Sequence, residues 1–242
     1  MPAGGGTPRV DSAISARGED MTSKWLTFDC YGTLVDWRQG MTAALQSVAG
    51  ADAGRLLTEY HLHEHVVQEQ NPAWTYRAVL AEALRRAAEV CEVSLTEDEC
   101  DVLGRTLPSW PVFPDTNRAL RELEARGYKF GVLSNVDREL LEQTLTQFDV
   151  RIDVTVTSSD IGSYKPALGH FETFQTLSGA ENHEWIHVAC SWFHDVEAAD
   201  RFGVRSVYIN RERTPHSEGD LAAAVLPDLV TLPEVAEALF GN

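Results

Sequence analysis

Residues 25–36 read Trp25-Leu26-Thr27-Phe28-Asp29-Cys30-Tyr31-Gly32-Thr33-Leu34-Val35-Asp36. A short apolar run passes directly into a polar cluster that opens with an aspartate, which predicts a buried strand followed by a functional loop. The same juxtaposition recurs downstream. Apolar runs at 128–133, 152–157 and 185–189 lead into Ser134-Asn135, Ser158-Ser159 and Cys190-Ser191, and a last strand is expected at 206–209. Helical patterns at 115–126, 137–147, 166–177 and 196–202 separate the strands. Strands alternating with helices predict a doubly wound α/β fold, Rossmann-like, with a parallel sheet covered on both faces. The polar strand ends then collect at the carboxyl edge, where such sheets bind ligands.

Between the first strand and this alternation lies a helical stretch from Met41 to about Leu107. Leu80, Leu84, Ala87 and Cys91 recur at helical spacing, and Thr96 with Glu99 spells a capping box. Pro108, Pro111 and Pro114 punctuate its end. The expected organisation is a disordered tail over 1–22, an α/β core from 23–36 and 115–242, and an inserted all-helical cap over 37–114. A cap above a strand-end carboxylate would exclude water from a reactive site.

Composition narrows the function classes. Of 242 residues, 20 are Lys or Arg and 37 Asp or Glu, a formal charge of −17. A surface so acidic repels a phosphate backbone, so nucleic acid is not an expected partner, and an anionic substrate would need a local cluster of cations or amides. No run of about 18 apolar residues predicts a membrane span, and the N-terminus lacks the apolar stretch of a secretory signal. Four cysteines at 30, 91, 100 and 190 suit neither a zinc module nor a disulfide scaffold. Reduced thiols in a cytoplasmic protein with a small-molecule substrate are the expectation.

The polar residues suggest a chemistry. A strand-end carboxylate, Asp29, acts as a nucleophile if a cation keeps it ionised and aimed, and Lys165 is the candidate cation. Ser134 and Asn135 are able to donate hydrogen bonds to a departing group or to the second carboxylate oxygen. Gly32 permits a sharp turn, so amides near Cys30 and Tyr31 are placed to stabilise an oxyanion. Strand alternation turns the Cys30 side chain toward the core. Asp195 would orient Lys165 or a hydrolytic water. Trp192 is read as either pocket wall or core packing. His61 and His65, four apart, make half of a metal site with no third ligand in view, so a polar helix face is the reading and no metal or other cofactor is expected.

In order along the chain, Asp29-Cys30-Tyr31-Gly32-Thr33-Leu34-Val35-Asp36, Leu133-Ser134-Asn135, Ser163-Tyr164-Lys165-Pro166 and His194-Asp195 resemble the four motifs of the haloacid dehalogenase superfamily. The resemblance spans roughly residues 24–212. Phosphatases of that superfamily carry a second aspartate where this chain has Tyr31, and another where it has Ser191. The missing acids imply the metal-independent type II branch, the 2-haloacid dehalogenases. By that resemblance Asp29 displaces halide from carbon, water then cleaves the aspartyl ester, and a 2-hydroxy acid leaves. Thr33, Ser134 and Lys165 would hold Asp29, Tyr31, Asn135, Cys30 and Trp192 would line the substrate site, and a homodimer is the oligomeric form the family suggests. Three departures imply altered halide and water pockets. Residues 59–64 hold no arginine where the family's cap supplies one, Phe171 replaces a tyrosine, and Cys190-Ser191-Trp192 replaces Ser-Ser-Asn. Other leaving groups, such as a strained ring, and a non-catalytic ligand binder are the alternatives.

Overall fold

The computed structural model describes residues 24–215 and 221–241; the expected tail over 1–22 lies outside them. Six strands form one sheet in the order β3-β2-β1-β4-β5-β6. They are β1 (Trp25–Phe28), β2 (Lys129–Ser134), β3 (Val154–Thr157), β4 (Trp185–Ala189), β5 (Arg205–Ile209) and β6 (Ala224–Leu226). Every pairing is parallel. This is the expected doubly wound sheet, with β1 at its centre between β2 and β4.

Alternation along β1 sends its side chains to two separate cores. Leu26, Phe28 and the following Cys30 join the larger apolar cluster, whereas Trp25 joins a second one with Phe171, Phe174 and Trp185. Residues of one parity share a face because side chains alternate with period two. Thr27, fully buried, shares the Trp25 face.

Five helices separate β1 from the rest of the core: α1 (Trp37–Ala49), α2 (Ala53–Gln70), α3 (Tyr76–Val90), α4 (Glu97–Cys100) and α5 (Val102–Thr106). Asp36 starts α1 by accepting the Gln39 amide, and Thr75 starts α3 by accepting that of Ala78. The capping box of Thr96 and Glu99 is formed at α4. On α3, Val79, Leu80, Ala83, Leu84, Ala87 and Ala88 make a buried stripe. That stripe belongs to the same cluster as Leu26 and Phe28, so one apolar core runs from the helices into the sheet. Asp137 clasps the two parts where they meet, its carboxylate accepting the Tyr76 and Arg77 amides at 2.9 Å each.

The remaining helices are α6 (Thr116–Ala125), α7 (Arg138–Leu145), α8 (Ser158–Ile161), α9 (Gly169–Ser178), α10 (Glu197–Phe202) and α11 (Leu232–Gly241). The helix expected from 166 begins only at Gly169. The one expected at 196–202 is preceded by a π-helical turn, Trp192–Val196, a feature frequent at functional sites. Neither β6 nor α11 was expected. The strand is a three-residue edge in an alanine-rich run with no clean alternation, whereas the helix carried a readable signal, Pro233 in its first turn and buried Leu232 and Ala236. Among the described residues no helix is long and apolar enough to cross a membrane.

Candidate active site

Asp29 stands one residue past β1, and its amide continues the parallel ladder by donating to Val188 O at 3.0 Å. Its two carboxylate oxygens have different partners. Oδ1 accepts from Lys165 Nζ at 3.0 Å, and Oδ2 accepts from Thr33 Oγ1 at 3.0 Å. Thr33 Oγ1 in turn accepts the Cys190 amide at 2.9 Å, so a single hydroxyl ties the β1 loop to the β4 loop. The loop packs closely. Gly32 has φ +100°, and a Cβ there would stand 2.5 Å from Cys190 Sγ.

Lys165 is buried, and each of its three ammonium protons is committed. Nζ donates to Asp29 Oδ1, to Leu133 O at 2.8 Å and to Asp195 Oδ1 at 2.6 Å. The lysine reaches this position because Asn135 grips its backbone from both sides. The Lys165 amide donates to Asn135 Oδ1 at 2.6 Å, and Asn135 Nδ2 donates to Lys165 O at 3.0 Å.

Electrostatics follow from this packing. Burial raises the Asp29 carboxyl above its ordinary value, with Lys165 opposing. Burial also works against ionised Asp195, but Lys165 and His187 outweigh it and hold that carboxyl well below the usual range. Burial disfavours the Lys165 ammonium too, yet Asp195 and Asp29 hold its pKa above the ordinary lysine value.

The carboxylate looks into a cavity of about 940 Å³ at the carboxyl edge of the sheet. Asp29, Tyr31, Ser134, Asn135, Lys165 and Asp195 line its sheet side, and α2 supplies the opposite wall with His61, Glu64 and His65. Among the described lining residues Lys165 is the one lysine or arginine. Tyr31 presents its ring while its hydroxyl is 2.8 Å from Thr144 Oγ1 on α7, and Ser134 is buried with its carbonyl 3.1 Å from His170 Nε2.

Two expected contacts do not form. The Cys30 side chain is fully buried in the larger apolar cluster, because its parity along the β1 direction is that of Leu26 and Phe28 rather than Asp29. Trp192 lines a neighbouring cavity of about 540 Å³, edge-on to Tyr208 at 5.3 Å, on the other side of the Cys190-Ser191 segment that both cavities share. Both are therefore removed from the substrate-lining set.

Several polar groups stand at the site that the sequence had not marked as catalytic or substrate-binding. His194 lines the large cavity, with Nδ1 3.0 Å from Ser191 Oγ, and burial lowers its pKa. Cys190 Sγ stands 3.9 Å from Asp29 Oδ2. His170 and His187 are fully buried beside the ion pairs, and the available signal was a histidine inside an otherwise apolar run, Trp185-Ile186-His187-Val188-Ala189.

The donor set does not fit the divalent cation of the superfamily's phosphatases. One ammonium bridges the Asp29 and Asp195 carboxylates, and neighbouring Tyr31 and Ser191 add no further carboxylate to the set. Among the described residues no group of three or more His, Cys, Asp or Glu is arranged to hold a metal ion.

A family model described as haloacid dehalogenase-like hydrolase matches residues 24–203. The chain is 26% identical over 196 residues to (S)-2-haloacid dehalogenase 4A of Burkholderia cepacia, covering 78% of this chain and 83% of that protein. Its fold superposes with a TM-score of 0.80 on a dehalogenase solved with an intermediate complex, at 22% identity over 88% of this chain and 97% of the other. A TM-score of 0.78 relates it to L-2-haloacid dehalogenase from Xanthobacter autotrophicus with chloropropionic acid covalently bound, at 17% identity over 89% of this chain and 99% of that one.

Proposed function

The chain belongs to the haloacid dehalogenase-like hydrolases, and from that premise we propose that it converts a short 2-haloalkanoic acid to a 2-hydroxy acid through an aspartyl ester on Asp29. The observation that carries this reading is the carboxylate itself: it is fixed by Lys165 and Thr33 and faces a cavity large enough for a small substrate. In the first step an Asp29 oxygen attacks the halogen-bearing carbon from the side opposite the halogen. A carbon–oxygen bond forms, the carbon–halogen bond breaks, and halide leaves with the electron pair. In the second step water attacks the Asp29 carboxyl carbon. The ester alkyl–oxygen unit departs as the hydroxy acid, and the water oxygen stays in the regenerated carboxylate.

Each residue has a place in this scheme. Lys165 keeps the attacking carboxylate paired and aimed, and Asp195 keeps Lys165 charged. The attacking water must give up a proton. His194 is the base proposed to take it, a lowered-pKa imidazole in the cavity wall. Ester formation also removes the negative charge of Asp29, leaving Lys165 and Asp195 as a balanced pair.

One observation supports a second reading with the same nucleophile. The α2 wall offers His61, Glu64 and His65 but no arginine to receive a halide. Glu64 accepts from Tyr76 Oη at 2.6 Å, and burial raises its pKa, with the Tyr76 hydrogen bond opposing. Such a wall suits an oxygen leaving group, as in a strained ring, which must take up a proton.

The test is release of halide from chloroacetate, bromoacetate and both enantiomers of 2-chloropropionate in the presence of chelator. Release by the native chain and its loss in Asp29→Asn, on the order of 10⁴-fold, is the expected result. No release from any of them by the folded protein would overturn the haloacid reading.

A further inference from the structure

Beneath the ion pairs, a line of buried polar side chains runs into the sheet on the Trp25 face. Trp185 Nε1 donates to Thr27 Oγ1 at 2.6 Å, Thr27 Oγ1 lies 2.8 Å from His187 Nδ1, and His187 Nε2 lies 3.0 Å from Asp195 Oδ1. Asp195, an ionised acceptor, accepts a hydrogen bond from Nε2–H. Thr27 has already accepted from the indole, so its own hydroxyl proton is free to reach Nδ1. One tautomer therefore satisfies every atom in the line: Nδ1 accepts and Nε2–H donates.

The register explains how the sequence builds this line. β1 and β4 are parallel neighbours with Trp25 beside Trp185 and Thr27 beside His187. Thr27, Trp185 and His187 are fully buried, and Phe171 packs edge-on against the His187 ring at 5.1 Å. The imidazole has no room to turn. Burying three polar side chains in an apolar sheet face is costly unless each finds a partner, and here the partners lead to one atom, Asp195 Oδ1. That oxygen is also the one Lys165 contacts at 2.6 Å.

We infer that His187 is a positioning residue for the reaction. Through a tautomer locked by Thr27 and Trp185, it holds Asp195 Oδ1 in place, and Asp195 in turn directs Lys165 onto the Asp29 carboxylate. This rests on the reading of Asp29 as nucleophile. His187 touches neither substrate nor the reacting oxygen; it acts through Asp195 and Lys165. Asp195 Oδ1 takes two donors, so without His187 the carboxylate is free to swing toward Lys165 alone and draw the ammonium off Asp29. That movement leaves the α2 wall of the cavity in place, so its main effect falls on attack by Asp29 rather than on substrate binding.

Two arms test this in the full-length chain. In the first, ¹⁵N-labelled protein is examined by long-range ¹H–¹⁵N spectroscopy. His187 is expected to show a bare Nδ1 and a protonated Nε2 at pH 7, and Thr27→Val is expected to release this preference. The buried Lys165 ammonium is expected to give a sharp ¹⁵N signal that shifts in His187→Leu and returns in His187→Gln, whose amide still donates to Asp195. A proton on His187 Nδ1 in the native chain, or an unmoved Lys165 signal in folded His187→Leu, overturns the proposal.

In the second arm, ester formation is followed in single turnovers with the haloacid panel. His187→Leu is expected to slow it roughly 10- to 100-fold with KM changed less than about threefold, and His187→Gln to restore most of the rate. Equal rates in His187→Leu and the native chain overturn the proposal. If His187→Leu does not fold, Thr27→Val carries both arms. Failure of the native chain to form any ester would count against the haloacid reading alone, because the spectroscopic arm is read without substrate.

Discussion

The cavity has two walls of different construction. On the sheet side, Lys165 and Asp195 are about 1% exposed, and every ammonium proton has a named acceptor. On the helix side, His61 and Glu64 are half-buried and His65 is exposed. The contrast separates the two halves of the function. In the proposed reaction the attacking carboxylate must be held to a fraction of an ångström, and the parallel sheet supplies that hold by aligning the ends of β1, β2 and β4. Under the proposed function the choice of leaving group would rest with α2, whose side chains take no part in the ion pairs.

The largest effect should come from the sheet side. Lys165→Met would leave Asp29 and Asp195 buried without their shared cation. Loss of about 3–5 kcal/mol of stability is expected in denaturant unfolding, along with loss of ester formation. A stable, active variant would dissolve the distinction between the walls.

A second prediction uses pH. Burial first, and the Lys165 charge after it, push the His170 pKa down to about 4 from 6.5. The folded value lies below the unfolded one, so the contribution to stability is complete above about pH 6.5 and is lost as pH falls toward 4. The full loss is roughly 3 kcal/mol. His170→Gln still donates to Ser134 O but has no such titration, so the stability difference between it and the native chain should shrink across this window. A constant difference would mean that His170 titrates normally. Ester formation should also fall in acid with a midpoint above 3.8, the ordinary aspartate value, because Asp29 must be ionised and its pKa is raised.

The smallest effects belong to the helix side. His65→Ala should change stability by no more than about 0.5 kcal/mol. With Glu64→Gln, it should shift the ratio of kcat/KM between chloro and bromo substrates by about tenfold or less. A collapse of ester formation in His65→Ala would place the chemistry, not just selectivity, on α2.

This division also governed what could be read from sequence. Asp29 was legible as a strand-end acid and Thr33, Lys165 and Asp195 as members of motifs in order along the chain, and the fold brings all four together. Strand parity correctly sent the Cys30 side chain to the core, against its inclusion among the substrate contacts. Trp192 went astray because the π-helical turn at 192–196 is not visible in local periodicity. Thr27, Trp185 and His187 escaped notice because they meet only through the register of two strands about 160 residues apart in sequence. The α2 wall showed itself as a polar helix face with His61 and His65 and as a stretch without arginine, and nothing local indicated that Glu64 would be hydrogen-bonded to Tyr76.

The central claim is that Asp29 becomes covalently attached to the substrate carbon. A single turnover in H₂¹⁸O, with enzyme in excess over a 2-haloacid that the panel shows to be turned over, tests it directly by mass spectrometry of the peptide containing Asp29 and of the product. The account predicts ¹⁸O in the Asp29 carboxylate and an unlabelled hydroxyl in the first hydroxy acid released. An unlabelled Asp29 beside an ¹⁸O-labelled product would mean that water attacks the substrate directly, and would contradict it.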